Sequence, residues 1–278
     1  MGKNPTTLAH LGGVAVFIRR KFVLIALALI LTITGALWGM QSQKEEPVIE
    51  LYDLTVAADS QMPMFYVKTD RKAVALTFDI SWGKEVPNKV LDVLKEHNQK
   101  ATFFLSGPWS NNYKDVVRRI VEDGHEIASH GQDHVNLSQE SKESIRQNIQ
   151  TAHDILVNIT RTTPKFFRPP NGDYDKTVVL TARELGYETV IWAVDSKDWM
   201  NPGVTAIVTE VSKYTFPGAI ILFHASDSAR ETHEALPMVL QNLKTAGYEI
   251  MPLGQLLALG KPARDDPRGR PISEILGE

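Results

Sequence analysis

The stretch Ala75-Leu76-Thr77-Phe78-Asp79 is a short apolar run that ends in a carboxylate, and this layout decides the fold. The same layout, an apolar run that ends in a side chain able to bind a metal or move a proton, occurs four more times. These runs are Glu126 to His130, Phe166 to Arg168, Val190 to Asp195 and Ile220 to His224. Repeated strands that each end in a polar residue are typical of an α/β barrel with its active site at the strand ends. The pattern therefore predicts an enzyme.

Strands and helices alternate through residues 70–260. Beyond the strand that ends at Asp79, strands are predicted over 101–105, 126–130, 165–168, 188–194, 219–223 and 248–252. Helices are predicted between them, over 86–97, 113–123, 139–159, 175–185, 203–213 and 231–246. The apolar stripe of Val90, Leu91, Val93 and Leu94 has helical spacing. Because crossovers between parallel strands are right-handed, seven such strands predict an all-parallel, helix-covered sheet or barrel.

The composition excludes several classes of protein. With 278 residues, of which 43% are hydrophobic, the chain can bury one full-sized core. The net charge of -3 gives no electrostatic reason to expect a nucleic-acid partner. The chain contains no Cys, so any metal must be held by His, carboxylate and water.

The N-terminal segment predicts the compartment. Arg19-Arg20-Lys21 precedes an uncharged, mostly apolar stretch over 22–40, which is long enough to cross a membrane. Basic flanking residues predict that residues 1–21 stay in the cytoplasm and that the catalytic part lies outside. A retained anchor is favoured over a cleaved signal peptide, because the bulky Leu37-Trp38-Gly39-Met40 offers no small-x-small cleavage pattern. Residues 41–69 are predicted to be a linker and residues 261–278 a loosely ordered tail.

Five polar side chains at the strand ends are candidates for the chemistry. His130 and His134 could hold a divalent cation, although a surface histidine pair is the alternative. Asp79 is either a structural salt-bridge partner or a general base, and Arg168 would keep it ionised. His224 can donate a proton near neutral pH. Either Asp195 or Asp198 could hold the His224 ring.

Five ordered motifs carry a resemblance to a known family. They are Thr77-Phe78-Asp79, Ser129-His130-Gly131-Gln132-Asp133-His134, Arg168-Pro169-Pro170-Asn171-Gly172, Asp195-Ser196-Lys197-Asp198-Trp199 and Leu222-Phe223-His224. Together they resemble the polysaccharide deacetylases, the NodB-homology enzymes of carbohydrate esterase family four. The run from Thr77 to Gly83 and the stretches 201–203 and 224–228 are similar to the branch found in spore-forming bacteria.

The resemblance implies a distorted (β/α)7 barrel over residues 70–260, behind an N-terminal transmembrane helix. It also implies metal-dependent removal of acetyl groups from N-acetylated cell-wall glycan, with peptidoglycan amino sugars as the expected substrate. His130 and His134 would hold the metal, expected to be zinc, with cobalt, nickel or manganese as alternatives. Asp79 would activate water, and Arg168 would orient Asp79.

The remaining implied roles concern the acetyl group and the leaving amine. The backbone N–H of Asn171 would stabilise the oxyanion. His224 would protonate the amine, with Asp198 tuning it, while Trp199 and Leu222 would line the acetyl pocket. The expected partners are a cell-wall glycan and, through residues 22–40, the membrane.

One position departs from the family pattern. The usual motif has two adjacent carboxylates, the second of which is a metal ligand, and here that position is Ile80. We therefore expect weakened metal binding; whether Asp133 can reach the ion is open. The alternative function is that of a catalytically impaired homologue that binds glycan, and a weaker one is hydrolysis of a small cyclic imide or ureide.

Two tryptophans near the strand ends are further candidates. Trp82 and Trp109 could each stack on a sugar ring or pack at the rim of the barrel. The sequence favours packing for Trp109 and leaves Trp82 open between the two roles.

Overall fold

The fold is built on a parallel sheet whose strands alternate with helices. A computed structural model describes residues 61–277. The sheet order is β6-β5-β4-β3-β2-β8-β7, every neighbouring pair is parallel, and β9 also pairs with β2. Its strands are β2 (Ala73–Ile80), β3 (Thr102–Leu105), β4 (Glu126–Ser129), β5 (Phe166–Phe167), β6 (Glu188–Thr189), β7 (Val194–Asp195), β8 (Ile220–His224) and β9 (Glu249–Met251). The predicted α/β class with parallel strands is confirmed.

Helices cover the outside of this sheet. They are α1 (Glu85–Glu96), α2 (Gly107–Asn112), α3 (Lys114–Glu122), α4 (Lys142–Thr160), α5 (Lys176–Glu184), α6 (Val204–Tyr214), α7 (Thr232–Thr245), α8 (Leu253–Leu257) and α9 (Ile272–Leu276). The α4 helix is capped by Ser141, whose hydroxyl accepts a hydrogen bond from the Ser144 N–H. Such a cap supplies a partner to one of the N–H groups that the first turn leaves unpaired.

The predicted strand over 188–194 is two short strands separated by residues 190–193. At its start β6 pairs with β5, and at its end β7 pairs with β8. This stretch of chain therefore crosses from one end of the sheet order to the other. In the middle, Val190 forms a parallel bridge with Met64, and the Ile191 N–H donates to the Met64 carbonyl at 2.8 Å, so residue 64 lies where a sheet strand would otherwise pair. The distortion expected of the barrel lies here.

The two faces of β2 have different surroundings. Ala73 and Ala75 belong to an apolar cluster with Phe104, Ala128 and Ile220, which fills the interior. The alternate residues Val74, Leu76, Phe78 and Ile80 belong to the larger cluster that the helices cover. Because side chains alternate along a strand, Asp79 shares the interior face while Ile80 faces the helical layer.

The C-terminal segment is more ordered than predicted. Strand β10 (Lys261–Ala263) pairs antiparallel with β1 (Tyr66–Lys68), which lies at the end of the predicted linker. The Arg264 guanidinium then forms an ion pair with buried Glu188, with N–O distances of 2.7 and 3.1 Å. Pairing with residues about 200 positions away leaves no local sequence signal, which explains why the tail was predicted to be loose.

The predicted transmembrane segment, residues 22–40, lies outside the described residues. Within residues 61–277 no helix has the length and apolar character needed to span a membrane.

Candidate active site

The polar ends of the strands open into one cleft of about 950 Å³. Seven of the nine predicted site residues line it: Asp79, His130, His134, Asn171, Trp199, Leu222 and His224. The other two, Arg168 and Asp198, are completely buried and contact residues that line the cleft. The topology thus gathers side chains from five different strand ends.

Asp79 and Arg168 form a buried ion pair. The Arg168 Nη1 donates to the Asp79 Oδ1 at 2.7 Å. Arg168 is 0% exposed and Asp79 is 6% exposed. Burial alone would raise the pKa of the Asp79 carboxyl, but the positive charge of Arg168 and its hydrogen bond, with contributions from His130 and His224, lower that pKa overall. Asp79 is therefore ionised at neutral pH, as a general base must be.

The Arg168 guanidinium is fixed on several sides. Its Nη2 donates to the hydroxyl of Thr77 at 3.0 Å and to the carbonyl of Ile191 at 3.1 Å. Its Cζ lies 4.0 Å from the centre of the Phe104 ring, the distance of a cation–π contact. An arginine held in this way has one orientation, and it presents that orientation to Asp79.

His130 is held with a defined ring nitrogen toward the cleft. Its Nδ1 lies 2.9 Å from the carbonyl oxygen of Arg168. Because a carbonyl only accepts, the Nδ1 carries the proton, and the Nε2 of the neutral ring has a free lone pair. Burial lowers the pKa of His130 to about 4, despite the nearby Asp79 charge, so the ring is neutral at pH 7.

His134 lies beside this ring, with the two ring centres 5.4 Å apart. The His130 Nε2 is 3.7 Å from the Asp79 Oδ2, so the two imidazoles and the carboxylate are neighbours. The alternative of an unrelated surface pair is wrong for His130, which is 3% exposed.

These residues do not make a three-ligand metal centre. In the described part of the chain no three His, Cys, Asp or Glu side chains are grouped so that they could hold a metal ion. Ile80 is fully buried in the helix-facing cluster and is not part of the cleft wall. Asp133 is exposed at the rim of the cleft. The cleft therefore offers two imidazoles for a metal, with Asp79 already paired to Arg168.

His224 and Asp198 form a second polar pair. The His224 Nδ1 lies 2.8 Å from the Asp198 Oδ1, and the His224 backbone N–H donates to the Asp198 Oδ2 at 2.7 Å. Burial tends to lower the pKa of His224, but the hydrogen bond and charge of Asp198 outweigh burial and raise it. Of the two candidate partners, Asp198 is the one that holds the ring, whereas the Asp195 carboxylate accepts the N–H of Lys197.

The residues predicted to surround the acetyl group lie around these pairs. Leu222 is 2% exposed on β8, and Trp199 is 53% exposed in the short 3-10 helix Asp198–Met200 that follows β7. Asn171 has a left-handed backbone, with φ 59°, between Pro170 and Gly172. Its side-chain amide donates to the Oδ1 of Asn136 at 2.8 Å, which fixes this turn against the loop after His134.

Two residues that support the site were missed by the sequence analysis. Thr77 accepts from Arg168 and donates to the carbonyl of Ile221 at 2.7 Å. The alternation of β2 could have revealed it, because Thr77 is two positions before Asp79. Thr232 donates to the Asp198 Oδ2 at 2.7 Å, and no local signal marks a partner 34 positions away.

Comparison with known proteins gives this arrangement a family. Residues 66–190 match the family model described as polysaccharide deacetylase. A peptidoglycan-N-acetylglucosamine deacetylase of Bacillus cereus is 34% identical over 194 residues, which are 69% of this chain and 91% of that protein. The chain belongs to the polysaccharide deacetylase family. The predicted family is confirmed, and the relatives of this family include proteins named peptidoglycan deacetylases.

Two further similar proteins are an uncharacterized protein and a pseudoenzyme. An uncharacterized protein of Bacillus subtilis, YlxY, is 33% identical over 70% of this chain and 60% of that protein, so the match spans less than two thirds of its length. A crystal structure of a family 4 pseudoenzyme from Bacillus anthracis superimposes with a TM-score of 0.68 at 32% identity, covering 71% of this chain and 69% of that one. A mutant of that pseudoenzyme has restored enzymatic activity.

Proposed function

We propose that this protein removes acetyl groups from N-acetylated amino sugars of cell-wall polysaccharide, with peptidoglycan as the substrate. The observation that carries the proposal is the contrast between two groups in one cleft. Asp79 and His224 are register partners on the neighbouring strands β2 and β8, yet their pKa values move in opposite directions. An ionised carboxylate beside an imidazole whose pKa is raised is the arrangement of a general base and a general acid.

The proposed reaction is water attack on the acetamide carbon. The Asp79 carboxylate accepts the proton of the water, whose oxygen forms the new bond to carbon. The Asn171 N–H donates to the carbonyl oxygen as negative charge develops there. The C–N bond then breaks as the His224 Nε2 gives its proton to the sugar nitrogen, which releases acetate and an amine. Arg168 and Asp198 act through Asp79 and His224, whose charge and orientation they fix.

A divalent ion has a weak site here. We assign His130 and His134 as its two protein ligands, with zinc as the expected ion and cobalt, nickel or manganese as alternatives. When bound, such an ion would polarise the acetyl oxygen. Since a zinc site with three protein ligands is the usual catalytic arrangement, two imidazoles should bind metal more weakly.

Replacement of Ile80 by Asp tests this interpretation. The new carboxylate would lie in an apolar cluster, so we expect the metal-free variant to lose several kcal/mol of unfolding free energy, on the order of 3 kcal/mol. A zinc ion that the new carboxylate reached from the end of β2 would relieve that cost, so added zinc should then raise the melting temperature of Ile80→Asp far more than that of wild type. Calorimetric titration with zinc and thermal unfolding measure both effects.

The matched control is Ile80→Asn, which buries a polar group of the same size without the charge. It should be destabilised but should gain little from zinc. An Ile80→Asp variant that binds zinc no more tightly than wild type would mean that position 80 cannot contribute to the site.

A second candidate function is glycan binding without cleavage. It is favoured by the buried Ile80 and by the similarity to a pseudoenzyme. Acetate release from N-acetylated glycan, measured with added zinc, separates the two functions. We expect wild type to release acetate and Asp79→Asn and His224→Gln to release little. Equal, minimal release by all three proteins, with glycan binding retained, would favour the binding function.

The compartment is also part of the proposal. We propose that residues 22–40 anchor the protein in the cell membrane, with the catalytic domain extracytoplasmic, as a wall-glycan substrate requires. The similarity of the Thr77 to Gly83 motif to the branch of spore-forming bacteria supports a role in sporulation.

A further inference from the structure

Trp82 is a large apolar side chain that faces solvent. It is 69% exposed, more than any other large hydrophobic side chain in residues 61–277. Trp109, for which packing at the rim was favoured over stacking on a sugar, is 2% exposed and packs within the core cluster. Core packing therefore explains the position of Trp109, but it does not explain the exposed side chain of Trp82.

The loop that carries Trp82 is held firmly in place. The Trp109 Nε1 donates to the carbonyl of Gly83 at 2.5 Å, and the Asp227 backbone N–H donates to the carbonyl of Trp82 at 3.0 Å. The Asp227 carboxylate accepts the N–H groups of Lys84 and Val86 at 3.1 and 2.8 Å. The exposed indole of Trp82 is therefore attached to a loop whose backbone is held in place by hydrogen bonds.

Gly83 allows the loop to adopt this backbone conformation. Its φ of +71° favours glycine, and a Cβ at this position would lie 2.0 Å from the Asp227 Oδ2. The close approach of Asp227 to the loop therefore depends on the absence of a side chain at position 83.

The position of Trp82 points to its ligand. It lines the same cleft as Asp79 and His224, only three residues after the proposed base. A rigid aromatic face next to a sugar-processing centre can stack on the C–H face of a pyranose, because these hydrogens are attracted to the electron-rich ring. The occupant that fits is a sugar next to the one that loses its acetyl group.

We infer that Trp82 is a stacking platform for a neighbouring ring of an N-acetylhexosamine chain, so that the cleft selects oligomers over single sugars. The inference rests on the proposed function for the nature of the ligand. It is tested by binding, which is independent of turnover.

The experiment compares wild type, Trp82→Ala and Trp82→Phe in calorimetric titrations with N-acetylglucosamine and with chitooligosaccharides of increasing length. We expect Trp82→Ala to bind the oligomers roughly twofold to tenfold more weakly than wild type. Binding of the monosaccharide should be unchanged, and Trp82→Phe should retain part of the oligomer affinity. The control is Met238→Ala, which removes a side chain that is 45% exposed on α7 and does not line the cleft. It should bind like wild type.

Three results would overturn the inference: equal oligomer binding by wild type and Trp82→Ala, an equal loss for monosaccharide and oligomers, or no oligomer binding by wild type. The proposed function has a separate readout, acetate release by wild type. Absence of acetate together with a length-dependent loss in Trp82→Ala would refute the deacetylase activity and leave the platform standing.

Discussion

Replacement of Arg168 by Met is expected to destabilise the fold by about 3–5 kcal/mol and to abolish acetate release. The variant would leave the Asp79 carboxylate, which is 6% exposed, without the cation that is paired to it. Buried charge without a partner is more costly than the pair itself. Burial, no longer outweighed by the Arg168 charge, should also raise the pKa of Asp79 and reduce its ionised fraction, which weakens the base. Denaturant unfolding and acetate release measure the two effects.

The free energy of unfolding lost in Arg168→Met should depend on pH. Because folding lowers the pKa of Asp79, its stabilising contribution is present above the pKa of an unfolded carboxyl and is lost as pH falls through the folded value. Arg168→Met should therefore lose less stability on acidification than wild type. The double variant with Asp79→Asn should recover part of the loss, since it removes the unpaired charge. A single variant as stable as wild type would show that the ion pair does not support the fold.

Replacement of Asp198 by Asn is expected to lower the rate of acetate release at neutral pH by about 10²-fold or more. Asn has nearly the same shape as Asp, but it lacks the charge that raises the pKa of His224 against the effect of burial. Activity that requires protonated His224 is lost as pH rises through its pKa. The alkaline limb of the pH–rate profile should therefore move to lower pH in Asp198→Asn, and an NMR titration of His224 should show the same shift.

The control for Asp198 is Thr232→Val. This change removes one hydrogen bond to the Asp198 Oδ2 and leaves the carboxylate charge in place. We expect a much smaller shift of the alkaline limb. An unchanged limb in Asp198→Asn would show that Asp198 does not set the pKa of His224, whatever the change in rate.

The sequence predicted the polar strand ends well because they depend on local patterns. Asp79, His130, Arg168 and His224 each follow an apolar run, and parallel strands bring such ends together at one edge. The same reasoning predicted that Arg168 pairs with Asp79, and in the structure the two side chains are 2.7 Å apart.

Features that depend on distant partners were not predictable in this way. The predicted strand 188–194 is interrupted where it pairs with Met64, between its pairing with β5 at one end and with β8 at the other. The pairing of β10 with β1 and the bond from Thr232 to Asp198 join residues far apart in the chain. In each case the local composition is compatible with a different structure, and only tertiary contacts decide.

The most direct test of the proposed acid and base is the pH–rate profile of acetate release by the full-length protein on an N-acetylated glycan. Asp79 must be ionised and His224 protonated, and the fold lowers the first pKa and raises the second. The profile should therefore have an acid limb below the ordinary carboxyl pKa and an alkaline limb above the ordinary histidine pKa. A rate that instead rises with pH through the ordinary histidine range, or the absence of acetate at every pH, would contradict the proposal.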